Sequence, residues 1–178
     1  MIGRYLLIFS ILLLSSCSQS FKGTVSSGDR FPTVDARSLA GEEVSIPEVF
    51  AEAGDTLLLV GFVQDSQFDI DRWILGLKQL KTPVVIAEIP AAVGFVPRLL
   101  SEKIDQGMRD GIPEEDWSIV FTVYDDAEKI ASFLGNEKPR NARAVLIDSA
   151  GEILWTHDRG YSADKVLELD NLIRKRKS

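Results

Sequence analysis

One cysteine and one histidine in 178 residues remove most of the usual materials of enzyme chemistry from this chain. A lone imidazole, His157, cannot build a histidine-rich metal site, and without a second sulfur the mixed Cys/His zinc sets are excluded. There is no Gly-x-x-x-x-Gly-Lys-Ser/Thr loop and no Gly-x-Gly-x-x-Gly, so nucleotide chemistry lacks its phosphate cradle. A Ser66, His157 and aspartate triad lacks the strand-turn-helix pattern that exposes a nucleophilic serine. Basic charge is also short. With 20 Lys+Arg against 27 Asp+Glu the formal net charge is −7, and no basic stripe is interleaved with aromatics, which argues against nucleic acid as a partner. The one basic cluster, Arg174 to Lys177, reads as cations favoured at a helix C-terminus; its alternative is contact with anionic lipid headgroups.

Long apolar runs are scarce as well. Tyr5 to Leu14 is about half the roughly 20 residues that a membrane-spanning helix needs. It follows Arg4 and precedes Leu14-Ser15-Ser16-Cys17, the order of a bacterial lipoprotein signal: basic start, apolar stretch, small residues, lipidated cysteine. Residues 1–16 are expected to be the signal peptide. Residues 17–28 then form a lipidated Cys17 and a polar tether, and residues 29–178 form one domain large enough for its own core. Lipid on Cys17 makes the membrane a partner and leaves no free thiol. By the enteric sorting rule, Ser18 after the cysteine favours the outer membrane, with the domain in the periplasm or outside the cell.

Beyond the tether the periodicities alternate. Leu57 to Phe62 is a continuous apolar run suited to a strand covered on both faces. Asp69 is placed to cap a helix carrying Ile70, Trp73, Ile74, Leu77 and Leu80 on one stripe. Val84 to Ile89 reads as a second buried strand. Pro97 opens a helix with Leu99, Leu100, Ile104 and Met108 on a common side, which Gly111-Ile112-Pro113 breaks. Ile119 to Tyr124 reads as a third strand, and Asp125 caps a short helix ending at Gly135-Asn136. Val145 to Asp148 and Ile153 to Trp155 form a hairpin, and Ser162 starts a final helix that turns Val166, Leu169, Leu172 and Ile173 inward. Pro32 to Phe50 looks like an added N-terminal hairpin. The whole predicts an α/β sandwich with a mixed central sheet flanked by helices.

The opening Gly28-Asp29-Arg30-Phe31-Pro32, the strand ending Gly61-Phe62, the following helix and the late Val145 to Trp155 hairpin resemble the thioredoxin-like superfamily, peroxiredoxin-type branch. From Gly111-Ile112-Pro113 through Val123-Tyr124, Leu134-Gly135-Asn136 and Asn141 to Trp155, the chain also resembles the mitochondrial ATP synthase assembly factor family. That family works on the matrix side, the equivalent of the bacterial cytoplasm, whereas a lipoprotein domain hangs on the opposite face. The resemblance implies two sulfurs near Gln67 and Ile70 and a proline before the late strand. Gln64-Asp65-Ser66-Gln67-Phe68-Asp69-Ile70 and Ala142-Arg143-Ala144 stand there instead. Disulfide exchange and peroxide reduction need a thiolate, and neither an amide nor an alkyl group supplies one.

Gln64, Ser66, Gln67 and Phe68 are therefore candidate partner-binding residues in the loop where this fold meets its substrates. Arg140, Asn141 and Arg143 are expected at the same end of the sheet, free to hold a carboxylate or a carbonyl. The run Ala91 to Val96 is expected in the core, and His157 in a loop. No cofactor and no metal is expected, and the acidic pairs Asp125-Asp126 and Glu114-Glu115-Asp116 read as helix-start partners. The leading expectation is a lipid-anchored, redox-inactive domain that binds an envelope protein as a scaffold or assembly factor. The alternatives are a cryptic enzyme or degenerate peroxiredoxin using His157 and carboxylates, and small-ligand binding in the cleft above the sheet.

Overall fold

The computed structural model describes residues 20–178; Cys17 and the signal-like segment lie outside them. The apolar runs form the centre. Strands β3 (Thr56–Gly61), β4 (Val85–Pro90), β6 (Arg143–Ile147) and β7 (Ile153–His157) make a sheet in the order β4-β3-β6-β7. The β3/β4 pair is parallel, with Leu59 opposite Glu88, and the β3/β6 and β6/β7 pairs are antiparallel. Strands β1 (Val34–Ser38) and β2 (Glu43–Ile46) form the expected N-terminal hairpin.

Every residue of β3 and β6 is buried, because side chains alternate between two covered faces. On one face Leu57, Leu59, Ala144 and Leu146 pack beneath helices α1 (Gln67–Leu80) and α5 (Ala163–Lys177). On the other, Leu58, Val60, Val145 and Ile147 pack with Ile130 and Leu134 of α4 (Ala127–Leu134) and with the N-terminal hairpin. Ile70, Trp73 and Leu77 of α1 are buried at helical spacing, and so are Val166, Leu169 and Ile173 of α5, whose cap Ser162 accepts from the Lys165 amide.

Several local expectations are corrected. Asp69 does not cap α1, which starts earlier, after a 3-10 turn at Gln64–Ser66. Asp126, not Asp125, stands at the start of α4, and its carboxylate accepts from the Asp35 amide across the fold. The expected strand Ile119 to Tyr124 is shortened: Ile119 ends a 3-10 run, Glu114–Ile119, and the regular strand is the short β5 (Phe121–Thr122). β5 pairs with β1 while Val120 and Val123 bridge to Glu88 and Ala91, so the chain changes partners there and joins the two sheets. The helix expected after Pro97 is broken at Leu100 into α2 (Phe95–Leu99) and α3 (Ser101–Gly111). The polar stretch expected as tether is laid on the domain from Phe21 onward. Phe21 and Asn136 exchange backbone and side-chain hydrogen bonds, Thr24 donates to the Phe133 carbonyl, and Gly28 donates to that of Ile153.

The basic C-terminal cluster is partly engaged within the fold. Arg174 donates to Asp170 of its own helix, and Arg176 reaches Asp55 at 2.8 Å. No helix of the described residues is long and apolar enough to cross a membrane.

Candidate functional site

Parallel pairing brings the C-terminal ends of β3 and β4 together, and antiparallel pairing brings the start of β6 beside them, with Val60 opposite Arg143. The loop 62–66 and the first turn of α1 therefore meet the 136–143 segment at one end of the sheet. Gly61 makes the turn possible: a Cβ there would lie 2.4 Å from the Ser66 hydroxyl. The Ser66 side chain is buried and donates to the Val63 carbonyl at 2.5 Å, so it serves the turn. Gln64 is exposed in the 3-10 turn, and Phe68, 69 % exposed, projects from the first turn of α1.

The three residues expected as a free anion or carbonyl site differ. Arg143 is buried, and its guanidinium donates to the carbonyls of Gly135, Lys138 and Asn141 while stacking 5.6 Å from the Phe62 ring centre. It is an internal clasp, because β6 is covered on both faces and the 136–142 loop has no strand or helix partner for these carbonyls. Asn141 gives its carbonyl to Arg143 and its amide to Lys138. Arg140 alone is solvent-facing, 3.1 Å from Asp65.

Between α1 and α3, over β4, lies a groove of about 920 Å³. Its walls include Ile70 and Ile74 on one side and Ile104 and Met108 on the other, and its floor holds Glu88. Gln67 ties the polar groups together: its amide nitrogen donates to Asp71 at 2.9 Å and to Glu88 at 3.1 Å. Burial pushes the Glu88 carboxyl above the usual carboxylate range. The negative charges of Asp71 and Asp116 act the same way, against the Gln67 hydrogen bond and Lys78. Glu88 was missed by sequence reasoning although a signal existed: a single charge inside the apolar run Val84 to Ile89 must either face solvent or be paired.

No family model and no curated protein matches the chain. Solved structures do. A thiol peroxidase from Chromobacterium violaceum aligns at 13 % identity over 89 % of this chain and 91 % of that one, with a TM-score of 0.58. The thioredoxin domain of a thiol-disulfide oxidoreductase from Bacteroides vulgatus aligns at 16 % identity over 84 % and 99 %, with a TM-score of 0.54. An exposed lipoprotein thioredoxin from Streptococcus pneumoniae aligns at 11 % identity over 79 % and 99 %, with a TM-score of 0.53. The fold is thioredoxin-like.

Within this thioredoxin-like frame, Gln67 is half-buried at the groove and Ile70 is buried in the core. At the position expected to carry proline, the Ala142 amide donates to Asp69 at 3.2 Å, a bond that a proline has no hydrogen to make. His157 is not in a loop; it ends β7, stacked on Trp155 and near Trp73, and burial lowers its pKa. Glu88, Leu59, Ala144 and His157 occupy one cross-strand row. Three strand spacings, about 14 Å, separate the acid from the imidazole. The row's middle members are fully buried, so these two groups cannot share a proton. Among the described residues no three His, Cys, Asp or Glu side chains come together to hold a metal ion.

The raised pKa of Glu88 has a stability consequence. Below the ordinary glutamate range both the folded and the unfolded chain hold this proton. As pH rises the unfolded chain releases it first, so stability falls until the folded carboxyl also ionises. Glu88→Gln, which removes the titration and keeps an oxygen for Gln67 to donate to, is expected to stabilise the protein at neutral pH. In acid it should have little effect. Urea midpoints of the two proteins at both pH values check this, and an equal shift at both pH values would refute it.

Proposed function

We propose that this chain is a redox-inactive thioredoxin-like domain, held on a bacterial envelope membrane by lipid on Cys17, which binds another envelope protein along the groove between α1 and α3 in a scaffolding or assembly role. The observation that carries the reading is the site itself. An amide and an alkyl group stand where the fold's sulfur chemistry would be, yet the groove beside them keeps apolar walls and a polar floor. The pneumococcal lipoprotein thioredoxin lends support, since that protein joins this fold to a lipoprotein.

In-membrane crosslinking of the full-length protein tests the reading, run beside Cys17→Ala and an Ile104→Ala, Met108→Ala double variant of the groove wall. A specific envelope adduct is expected from the anchored wild type, falling at least about tenfold in the double variant if these side chains are anchors. Peroxide or disulfide turnover that disappears with His157→Ala would replace this reading with an enzymatic one. The groove's size, about 920 Å³, also suits a small ligand with a donor for Glu88. That second reading predicts ligand-dependent thermal stabilisation without a protein adduct.

A further inference from the structure

Large apolar side chains left in solvent are concentrated at one end of this molecule. Phe95 is 73 % exposed, Val96 62 % and Leu99 69 %, all on α2, and Leu100 and Phe68 join them. The run from Ala91 onward was expected in the core. Only Ala91 is buried, and α2, entered through Gly94 at φ +113°, projects from the end of the sheet. None of Phe95, Val96, Leu99 or Leu100 lines the groove between α1 and α3, so the groove does not account for them.

The chain enters the fold at this same end. Arg98 of α2 holds the Asp125 carboxylate and carbonyl just before α4 begins, and Phe21 pairs with Asn136 just after α4 ends. α4 has 8 residues, about 12 Å of helix, so α2 and the point of entry flank a single short element. Cys17 precedes Phe21 by few enough residues that full extension covers about 14 Å. A lipid on Cys17 therefore holds the bilayer surface within reach of α2, while the Asp148–Glu152 turn lies at the opposite end of the sheet.

We infer that the exposed apolar side chains of α2 rest on the lipid surface beside the anchor, so that the domain sits in one orientation. This rests on the lipidated Cys17 of the proposed function. Apolar contact is the driving term for α2, whose one cation, Arg98, is already paired with Asp125. A five-residue helix binds lipid too weakly to act alone, but the tether supplies the local concentration. In this orientation the groove opens close to the membrane plane, which confines its partner to a protein that reaches that plane.

Hydrogen exchange on the full-length lipidated protein in vesicles of phosphatidylethanolamine with a minority of phosphatidylglycerol tests this, with unanchored Cys17→Ala as reference. Flotation reports anchoring separately. The expected result is flotation with roughly tenfold slower exchange at residues 95–100, unchanged exchange at the 148–152 turn, and no dependence on moderate salt. A Phe95→Ser, Val96→Ser, Leu99→Ser variant should still float and fold, and should lose the protection. Flotation without protection would overturn the inference and leave the anchor standing. Failure to float would overturn both. Protection that appears in the unanchored protein and grows with its concentration would assign the patch to a second copy of the chain instead.

Discussion

Trp73→Ala is expected to lower stability by about 4 kcal/mol, within the range for deleting a fully buried tryptophan. The indole is completely enclosed, with Trp155, Tyr161 and His157 ring centres at 6.0, 6.1 and 6.1 Å, and its Nε1 donates to the Gly160 carbonyl at 3.3 Å. Small domains have only about 5–15 kcal/mol in all, so this one change would consume a large share. Trp73→Phe keeps an aromatic wall and loses the hydrogen bond, and should cost about 1 kcal/mol. The pair of urea midpoints separates packing from hydrogen bonding; similar losses in both variants would show that the Gly160 bond carries the effect. His157 supplies an independent readout. Burial holds its pKa below the ordinary imidazole value, so the wild type gains stability above that value and loses it as pH falls and the unfolded chain takes up the proton. Opening the wall in Trp73→Ala should raise the folded pKa toward the ordinary value, visible by NMR titration, and weaken this acid sensitivity. Because α1 begins with Gln67 and is anchored to the sheet by Trp73, the same variant should also loosen the groove wall.

The buried strands were legible because their residues are apolar whichever face they take: β3 and β6 are covered on both sides, and a continuous run encodes that directly. The helical stripe of α1 and the Ser162 cap were legible for the same local reason. What failed was everything that depended on a distant partner. Asp69 and Asp126 look like helix caps in sequence, yet their carboxylates take the amides of Ala142 and Asp35 from elsewhere in the fold. β5 was overread because Val120 to Val123 divide their pairing between β1 and β4. The run after Pro90 leaves the core at its far end, where Phe95 and Val96 are exposed, since composition records hydrophobicity and not what covers it. At the site, the position of Gln67 and Phe68 after β3 was legible, although they begin α1 and do not lie in a loop, whereas Glu88 went unnoticed because an acid in a strand has no local partner to announce it. Arg143 was misread for the opposite reason: an arginine is usually a surface residue, and only the strand around it says otherwise.

Arg143→Ala follows from that misreading and separates the two roles. If the guanidinium were a free binding group, its loss would weaken association and leave stability nearly unchanged, as at most exposed sites. As the internal clasp described above, it satisfies carbonyls of Gly135, Lys138 and Asn141 and covers the Phe62 ring. Burial lowers its pKa against the negative charge of Asp158, but an arginine keeps its proton, and its hydrogen bonds go to these carbonyls. Removing it takes the donor from the buried Gly135 carbonyl and opens space beside Phe62, with an expected loss of about 3 kcal/mol. Lysine restores the charge without the planar fork and should recover only a minor part. The loss should be local in its first effect. The 136–142 segment and the Phe21 to Asn136 contact should exchange amide hydrogens faster, while the opposite Asp148–Glu152 turn should keep its protection. Since Phe21 is the point from which the chain runs back toward Cys17, loosening it would lengthen the tether and relax the orientation inferred for α2. An Arg143→Ala protein that kept its urea midpoint and lost only partner binding would restore the surface role and remove the clasp.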